Sequence, residues 1–339
     1  MLSRFTTFAM TLALPGLFLL GQPAMAEVRP FTLKFAAQNQ TGHPQVQGME
    51  KFAEIVDKKS AGKISVKLFP GGVLGGDLQT LSAMQGGTVE LSVLNAGLLA
   101  SLSKDFALVD LPFLFESPKQ ADAVMDGPFG EALADQLPEK GLIGLGYWEL
   151  GFRNLSNSRR AVSSVDDIAG LKVRVVQTPV LIDLFAALGA NPVPMPFPEV
   201  YTALEMKTVD GQENPFANIL NSKLYEVQKH LAVTRHVYNP QIVVMSKKTW
   251  DRLNDEERKL IQEAAGEARN YQRTVSRTQD AEALAKLKEL GMQITELPPS
   301  EITKLREKAK PVVEKHSAAA APTLVKLFHE ELDKARTKN

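Results

Sequence analysis

FTLKFAAQNQTGHPQVQGMEKFAEIVDKKSAGKISVKLF, residues 31–69, decides the class of fold. FTLKFA alternates apolar and polar residues as a strand does. Val46, Met49, Phe52, Ile55 and Val56 then recur at helical spacing, and KISVKLF returns to alternation. Working outward, the glycine-rich GGVLGG (71–76) leads to a short helix around residues 78–85 and to the strand VELSVLN (89–95). A βαβαβ run predicts a doubly wound, mostly parallel sheet. After Gly151 a second unit follows: LKVRVV (171–176) as a strand, 179–188 as a helix, and NPVPMPFP (191–198) as an extended proline-rich connection. EVYTALEMKTVDG (199–211) reads as helix and turn, and PQIVVMSKK (240–248) as another strand. The expectation is α/β, with two similar halves joined by strands.

Residues 255–290 contain no proline and place Leu260, Ile261, Ala264, Ala265, Ala268, Tyr271, Val275, Leu284 and Leu287 on one apolar face. If continuous, this helix runs about 50 Å at 1.5 Å per residue and can lie across both halves. A break at Gly266 or near Thr278 would make it two helices. Another amphipathic stretch, residues 324–335, ends the chain.

The first residues read as a secretory leader: Arg4, an apolar run from Phe8 to Leu20, and Ala24-Met25-Ala26 as an A-x-A cleavage site. That run is too short to span a membrane. Removing residues 1–26 takes one basic residue and no acidic one, so 39 against 39 becomes 38 basic against 39 acidic. A mature chain of nearly zero net charge implies no nucleic-acid or membrane-surface partner. Zero cysteines excludes a disulfide framework and a thiol nucleophile. The roughly 313 remaining residues suffice for two domains.

Enzyme chemistry has sharp signatures, and GxGxxG, P-loop, GxSxG and HExxH are all absent. GGVLGGD lacks the P-loop lysine and threonine, so it reads as a turn into a helix. His230 and His236 have no acidic or cysteine partner at ligand spacing, so no metal site is expected. What remains looks like recognition: YWELGFRNLSNS (147–158), LKVRVVQTP (171–179) and VDGQENPFANI (209–219). Arginines among amides and aromatics suit a carboxylate, because the planar guanidinium gives two parallel hydrogen bonds. Arg174 stands in mid-strand, where a buried charge is costly unless paired. Residue physics leaves two options open for Arg153 and Arg174: a ligand, or an internal salt bridge with Glu149, Asp166 or Asp167.

The stretches at 43–76 (HPQVQGMEKFAEIVDKKSAGKISVKLFPGGVLGG), GFRNLSNSRRAV, GLKVRV, ALGANPVPMPFPEVYTALEMKTVDGQENP and YEVQKHLAVTRHVY occur in this order along the mature chain. Together they make the chain resemble the solute-binding proteins of tripartite ATP-independent periplasmic (TRAP) transporters, the DctP family named for C4-dicarboxylate uptake. The resemblance implies a periplasmic-binding-protein-like fold, with two doubly wound α/β domains around a ligand cleft and hinge strands and a long helix spanning both. It implies that Arg174 clasps a ligand carboxylate, with Arg153 and Asn214 in the same cleft. Gln38 and Asn39 map to the loop after the first strand, Asp77 to the segment after GGVLGG, and Asn95 to a strand end. Trp148 and Phe197 are expected as apolar walls, and Gln177 and Gln212 as groups for the far end of the ligand.

Domain I is expected at 27–150 plus 240–276 and domain II at 151–239 plus 277–339, with hinge crossings near 150–151 and 239–240. The resemblance implies a monomeric periplasmic receptor, cleaved after Ala26, that closes on a C4-dicarboxylate or a related keto, hydroxy or sugar acid. It would deliver that acid to one small and one large integral membrane subunit, without cofactor, metal or catalysis. A binding protein of the same fold serving a sensor is the alternative, and a secreted enzyme the remoter one.

Overall fold

The computed structural model describes residues 27–337; the expected leader lies outside the described residues. The first half runs β1 (Phe31–Ala36), α1 (Pro44–Lys59), β2 (Ile64–Phe69), α2 (Asp77–Gly86), β3 (Leu91–Asn95), α3 (Pro118–Met125) and α4 (Pro128–Ala134). The long strand β4 (Leu142–Asn157) leads to the second half: β5 (Lys172–Val175), α5 (Pro179–Ala187), β6 (Asn191–Pro194), α6 (Val200–Glu205), β7 (Gly211–Asn214) and α7 (Phe216–Asn221). The chain returns along β8 (His230–Ser246) and α8 (Lys247–Trp250), then continues through α9 (Asp255–Glu289), β9 (Gln293–Glu296), α10 (Pro299–Ala319) and α11 (Pro322–Thr337).

Among the described residues nine strands share one sheet, ordered β2-β1-β3-β8-β4-β7-β5-β6, with β9 beside β8. Strands β2, β1 and β3 are parallel, as are β6, β5 and β7, so each half repeats one winding. The antiparallel pair β4 and β8 passes through the middle and joins them. In such sheets ligands sit beyond the carboxyl ends of the strands where the winding reverses. Those ends of β1, β3, β5 and β7 carry or immediately precede Gln38, Asn95, Arg174 and Asn214.

Two differences from the sequence expectations have plain causes. NPVPMPFP is not only a connection: its first four residues form β6, pairing with β5 alone. Prolines cannot donate to a ladder, and an edge strand needs donors on one side only. GQEN, read as part of a turn-flanked cluster, is the buried strand β7 between β4 and β5.

The long helix α9 is continuous over 35 residues. Asn254 and Glu257 cap it reciprocally, the Glu257 amide donating to Asn254 Oδ1 at 3.0 Å and the Asn254 amide to Glu257 Oε2 at 2.9 Å. Leu260, Ile261, Ala264, Ala265 and Ala268 belong to the apolar core of the first half, whereas Ala283 and Leu287 belong to that of the second. Between them the helix turns polar and grips β4. The Gln272 side-chain amide donates to the Glu149 carbonyl (2.7 Å) and accepts from the Glu149 N–H (2.9 Å). These bonds fall where β4 changes register between Glu149 and Gly151, so a side chain satisfies backbone groups beside a bulge. The last helix departs from the expected division, because Phe328 of α11 packs on Phe129 of α4 in the first half (ring centroids 4.7 Å).

Among the described residues no helix is long and apolar enough to cross a membrane. Gly48 of α1 marks the tightest approach to α9: a Cβ there would lie 2.7 Å from Trp148 Cζ3 and 2.8 Å from Gln272 Cγ. Gly48→Ala is therefore expected to lower stability by about 1–3 kcal/mol through overpacking, despite alanine's better helix propensity. Its urea midpoint against that of the unsubstituted chain checks this, and an unchanged or higher midpoint would contradict the packing argument.

Candidate functional site

Arg174 sits in β5 with only 2 % of its surface exposed. Its Nε and Nη2 both donate to the Met195 carbonyl, at 3.0 and 2.7 Å. Its Nη1 is buried without a partner, and the Phe197 ring lies 5.7 Å from the guanidinium carbon. Among the described residues it has no carboxylate within salt-bridge distance; Glu149 pairs instead with Arg277, and Asp166 with Lys308. Burial lowers its pKa to about 10, with the field of Glu213 opposing that shift. A desolvated, uncompensated cation with a free N–H is set to receive an anion.

Arg153 is different. It is 1 % exposed, and the carboxylate it meets, that of Glu213, is fully buried. Nε pairs with Glu213 Oε2, and Nη2 donates to Glu213 Oε1 at 2.9 Å and to the Glu213 carbonyl at 2.6 Å. Nη2 also reaches Asn214 Oδ1 at 3.3 Å, while Nη1 donates to Asn239 Oδ1 at 3.1 Å. His236 Nε2 adds a contact to Glu213 Oε2 at 3.1 Å. Burial alone would raise the Glu213 pKa, but the Arg153 charge and the hydrogen bonds from His236 and Arg153 override it and hold it at about 2. The partner of Arg153 is thus none of the three acids weighed from sequence.

Amides tile the remaining floor. Asn239 Oδ1 also accepts from Asn95 Nδ2 (3.1 Å) and Gln241 Nε2 (3.2 Å), and Asn239 Nδ2 donates to Asp110 (3.0 Å). Gln45 Nε2 donates to Gln241 Oε1 at 2.7 Å. Across the cleft mouth, Asn39 and His43 of the first half both meet Asn218 Oδ1 of the second. The glycine-rich loop also faces the other half, a Cβ on Gly76 falling 3.0 Å from Pro196 Cβ and one on Gly72 colliding with Pro198. The two halves are therefore drawn together.

The cleft between the halves is narrow, a cavity of about 40 Å³. Of the residues expected from sequence, Arg174, Arg153, Asn214, Gln38, Asn39, Asp77, Asn95 and Phe197 line it. Three others lie elsewhere. Trp148 is buried in the core beside Phe35, 6.2 Å between rings. Gln177 faces a separate surface hollow with Leu78 and Gln79. Gln212 stands behind Asn214, accepting from its Nδ2 at 2.6 Å and donating to Ser156 Oγ at 2.8 Å. Sequence reasoning passed over Gln45, Asn218, Asn239 and Gln241, along with the apolar lining Val93, Leu150 and Val176. The pattern Asn-x-Gln at 239–241 was the available signal, since alternate strand residues share a face. Among the described residues no cluster of acidic, histidine or cysteine side chains could hold a metal.

Comparison with known proteins adds the lineage of this arrangement. Residues 35–319 match the family described as bacterial extracellular solute-binding protein, family 7. The 2,3-diketo-L-gulonate-binding periplasmic protein YiaO of Escherichia coli (strain K12) is 37 % identical over 263 residues, 78 % of this chain and 80 % of that protein. Among solved structures, a TRAP periplasmic solute-binding protein from Ochrobactrum anthropi, its C-terminus bound in the ligand pocket, is 62 % identical with a TM-score of 0.81; the match covers 92 % of this chain and 97 % of that one. The sugar acid binding protein DctPAm from Advenella mimigardefordensis, in complex with galactonate, is 44 % identical with a TM-score of 0.89, over 91 % and 99 % of the two chains.

Glu213→Gln removes the counter-charge of Arg153 while keeping the shape, and is expected to cost about 3–5 kcal/mol of stability. Thermal unfolding of the purified variant reads this directly, and a loss below about 1 kcal/mol would show the pair to be dispensable.

Proposed function

Because the chain belongs to family 7 of the bacterial extracellular solute-binding proteins, it is a solute-binding receptor, and we propose that it captures one small organic acid outside the cytoplasm for the membrane subunits of a TRAP transporter. The observation that carries this reading is the buried Arg174 guanidinium, which lines the cleft and whose Nη1 has no hydrogen-bond partner. A carboxylate placed there completes the hydrogen bonding and offsets the desolvated charge. The site acts by holding rather than transforming, and no catalytic residue is assigned. The leader expected at residues 1–26 fits a periplasmic location.

Binding by closure follows from the same architecture. The two bodies are residues 27–150 plus 240–276, and residues 151–239 plus the chain from 277, with α11 riding on the first. The pivot lies where β4 and β8 cross: Glu149 is paired with Pro240 and Gly151 with Asn239, and the register breaks between 149 and 151. Gly151, at φ 116°, permits a backbone turn that other residues resist. Ligand selects the closed arrangement from the two that such a pivot allows.

A thermal-shift screen against small carboxylates tests the receptor reading. At about a hundred times its dissociation constant a ligand adds roughly 2.7 kcal/mol, a shift of a few degrees for a chain this long. Arg174→Lys is expected to weaken that ligand by at least about tenfold despite keeping the charge, because a point donor replaces a fork. Unchanged affinity in calorimetry would refute the clasp. Saturating ligand should also lower the radius of gyration in X-ray scattering, and superimposable profiles would count against closure.

A further inference from the structure

Which acid fits is decided by what else faces the cleft. Two arginines line it, and two arginines would suit a dicarboxylate, but only Arg174 has a guanidinium nitrogen without a partner among the described residues. The charge of Arg153 is matched by Glu213, and its Nε, Nη1 and Nη2 all donate to protein acceptors. A second acid, Asp110, stands behind Asn239 on the same side of the floor, with Oδ2 buried and unpartnered. A second ligand carboxylate placed against Arg153 would meet a neutralised cation and a further acid. Inside a buried cleft a further negative charge beside Glu213 is unfavourable.

The unused hydrogen-bonding groups carry the complementary half of the argument. Besides Arg174 Nη1, two lining side chains have buried atoms without a partner: Asp77 Oδ1 and Gln38 Oε1. Both are acceptors. The orientation of Gln38 is set by its Nε2, which donates to the Gly75 carbonyl at 3.1 Å, so the free end is the oxygen. Buried acceptors need donors, and a carboxylate has none, whereas each hydroxyl brings one.

We propose that the ligand is a monocarboxylic acid bearing several hydroxyls, a sugar acid of the aldonate type, and that Asp77 and Gln38 select it over dicarboxylates. The inference rests on the receptor reading above, with Arg174 taking the single carboxylate. Asp77, at the first turn of α2, accepts from ligand hydroxyls and repels a second carboxylate. Gln38 accepts from another hydroxyl. Burial already pushes the Asp77 carboxyl up to about 7, against the lowering field of Arg174, which is the state of an acid deprived of donors. Ligand hydroxyls supply those donors.

The experiment is calorimetry on the mature chain, unfolded and refolded to free it of carried-over ligand. The probes are galactonate, gluconate, mannonate and erythronate against succinate and malate. At least one hydroxylated monoacid is expected to bind about a hundredfold or more tighter than succinate. Asp77→Asn should weaken that monoacid about tenfold or more and tighten succinate severalfold. Gln38→Met, which keeps length and removes the acceptor, should weaken the monoacid alone. Succinate binding within tenfold of every aldonate overturns the assignment and leaves the receptor reading standing. So does a pair of variants that leave monoacid affinity unchanged. Heat from no acid at all overturns the receptor reading itself.

Discussion

The ion pair of Arg153 with Glu213 is the constraint around which the rest of the cleft is arranged. It joins adjacent strands: Leu155, two residues after the arginine, is the register partner of Glu213. His236 and Asn239 of β8 close around it from the other side. Taking both charges from water is expensive, and the geometry compensates by giving the guanidinium several acceptors and the carboxylate a second donor. This cluster fixes the floor where β4, β7 and β8 meet. It also gives one of the two cleft arginines a counter-charge from within the protein.

The floor alone would be a shallow surface, and the winding of the sheet makes it a cleft. Each half brings the carboxyl ends of its parallel strands to the same edge, and backbone groups there are no longer used by the ladder. Loops leaving those ends can approach closely only where side chains are small. That accounts for glycines at 72 and 76 opposite prolines 198 and 196. The residues read as a simple turn into α2 also serve the apposition of the halves, and they set Asp77 beside Arg174.

Local pattern carried much of the fold. The alternation of FTLKFA coincides with β1, and the apolar stripe over 255–290 coincides with one unbroken helix. Where reading stopped short, the deciding partner was distant in sequence. Glu213 lies 60 positions from Arg153, and nothing near either residue announces the other. Gln177 shows the opposite case: Arg174 and Val176 line the cleft, so two-residue alternation turns Gln177 away, a local rule that its choice for the far end of the ligand passed over. Trp148 was chosen for its type, yet a large aromatic next to a β-bulge found its place under α1, where Gly48 leaves room for it. α3, α4 and α10 went unassigned because short or charge-rich segments declare their faces weakly until a partner covers them.

Helix α9 has a consequence for how the molecule comes apart. Each half is of ordinary domain size, and such units commonly melt separately. Here the same helix fills an apolar cluster in each, Leu260 to Ala268 in one and Ala283 and Leu287 in the other, while a further cluster without it runs from Phe129 in the first half to Leu184 in the second. The sheet likewise passes through both without an interruption between β8 and β4. Helix formation is cooperative, so losing packing at one end weakens the turns that seal the other. A chain wound as two halves is thereby built to unfold as one, its cooperativity housed in the strands and the helix that the halves share.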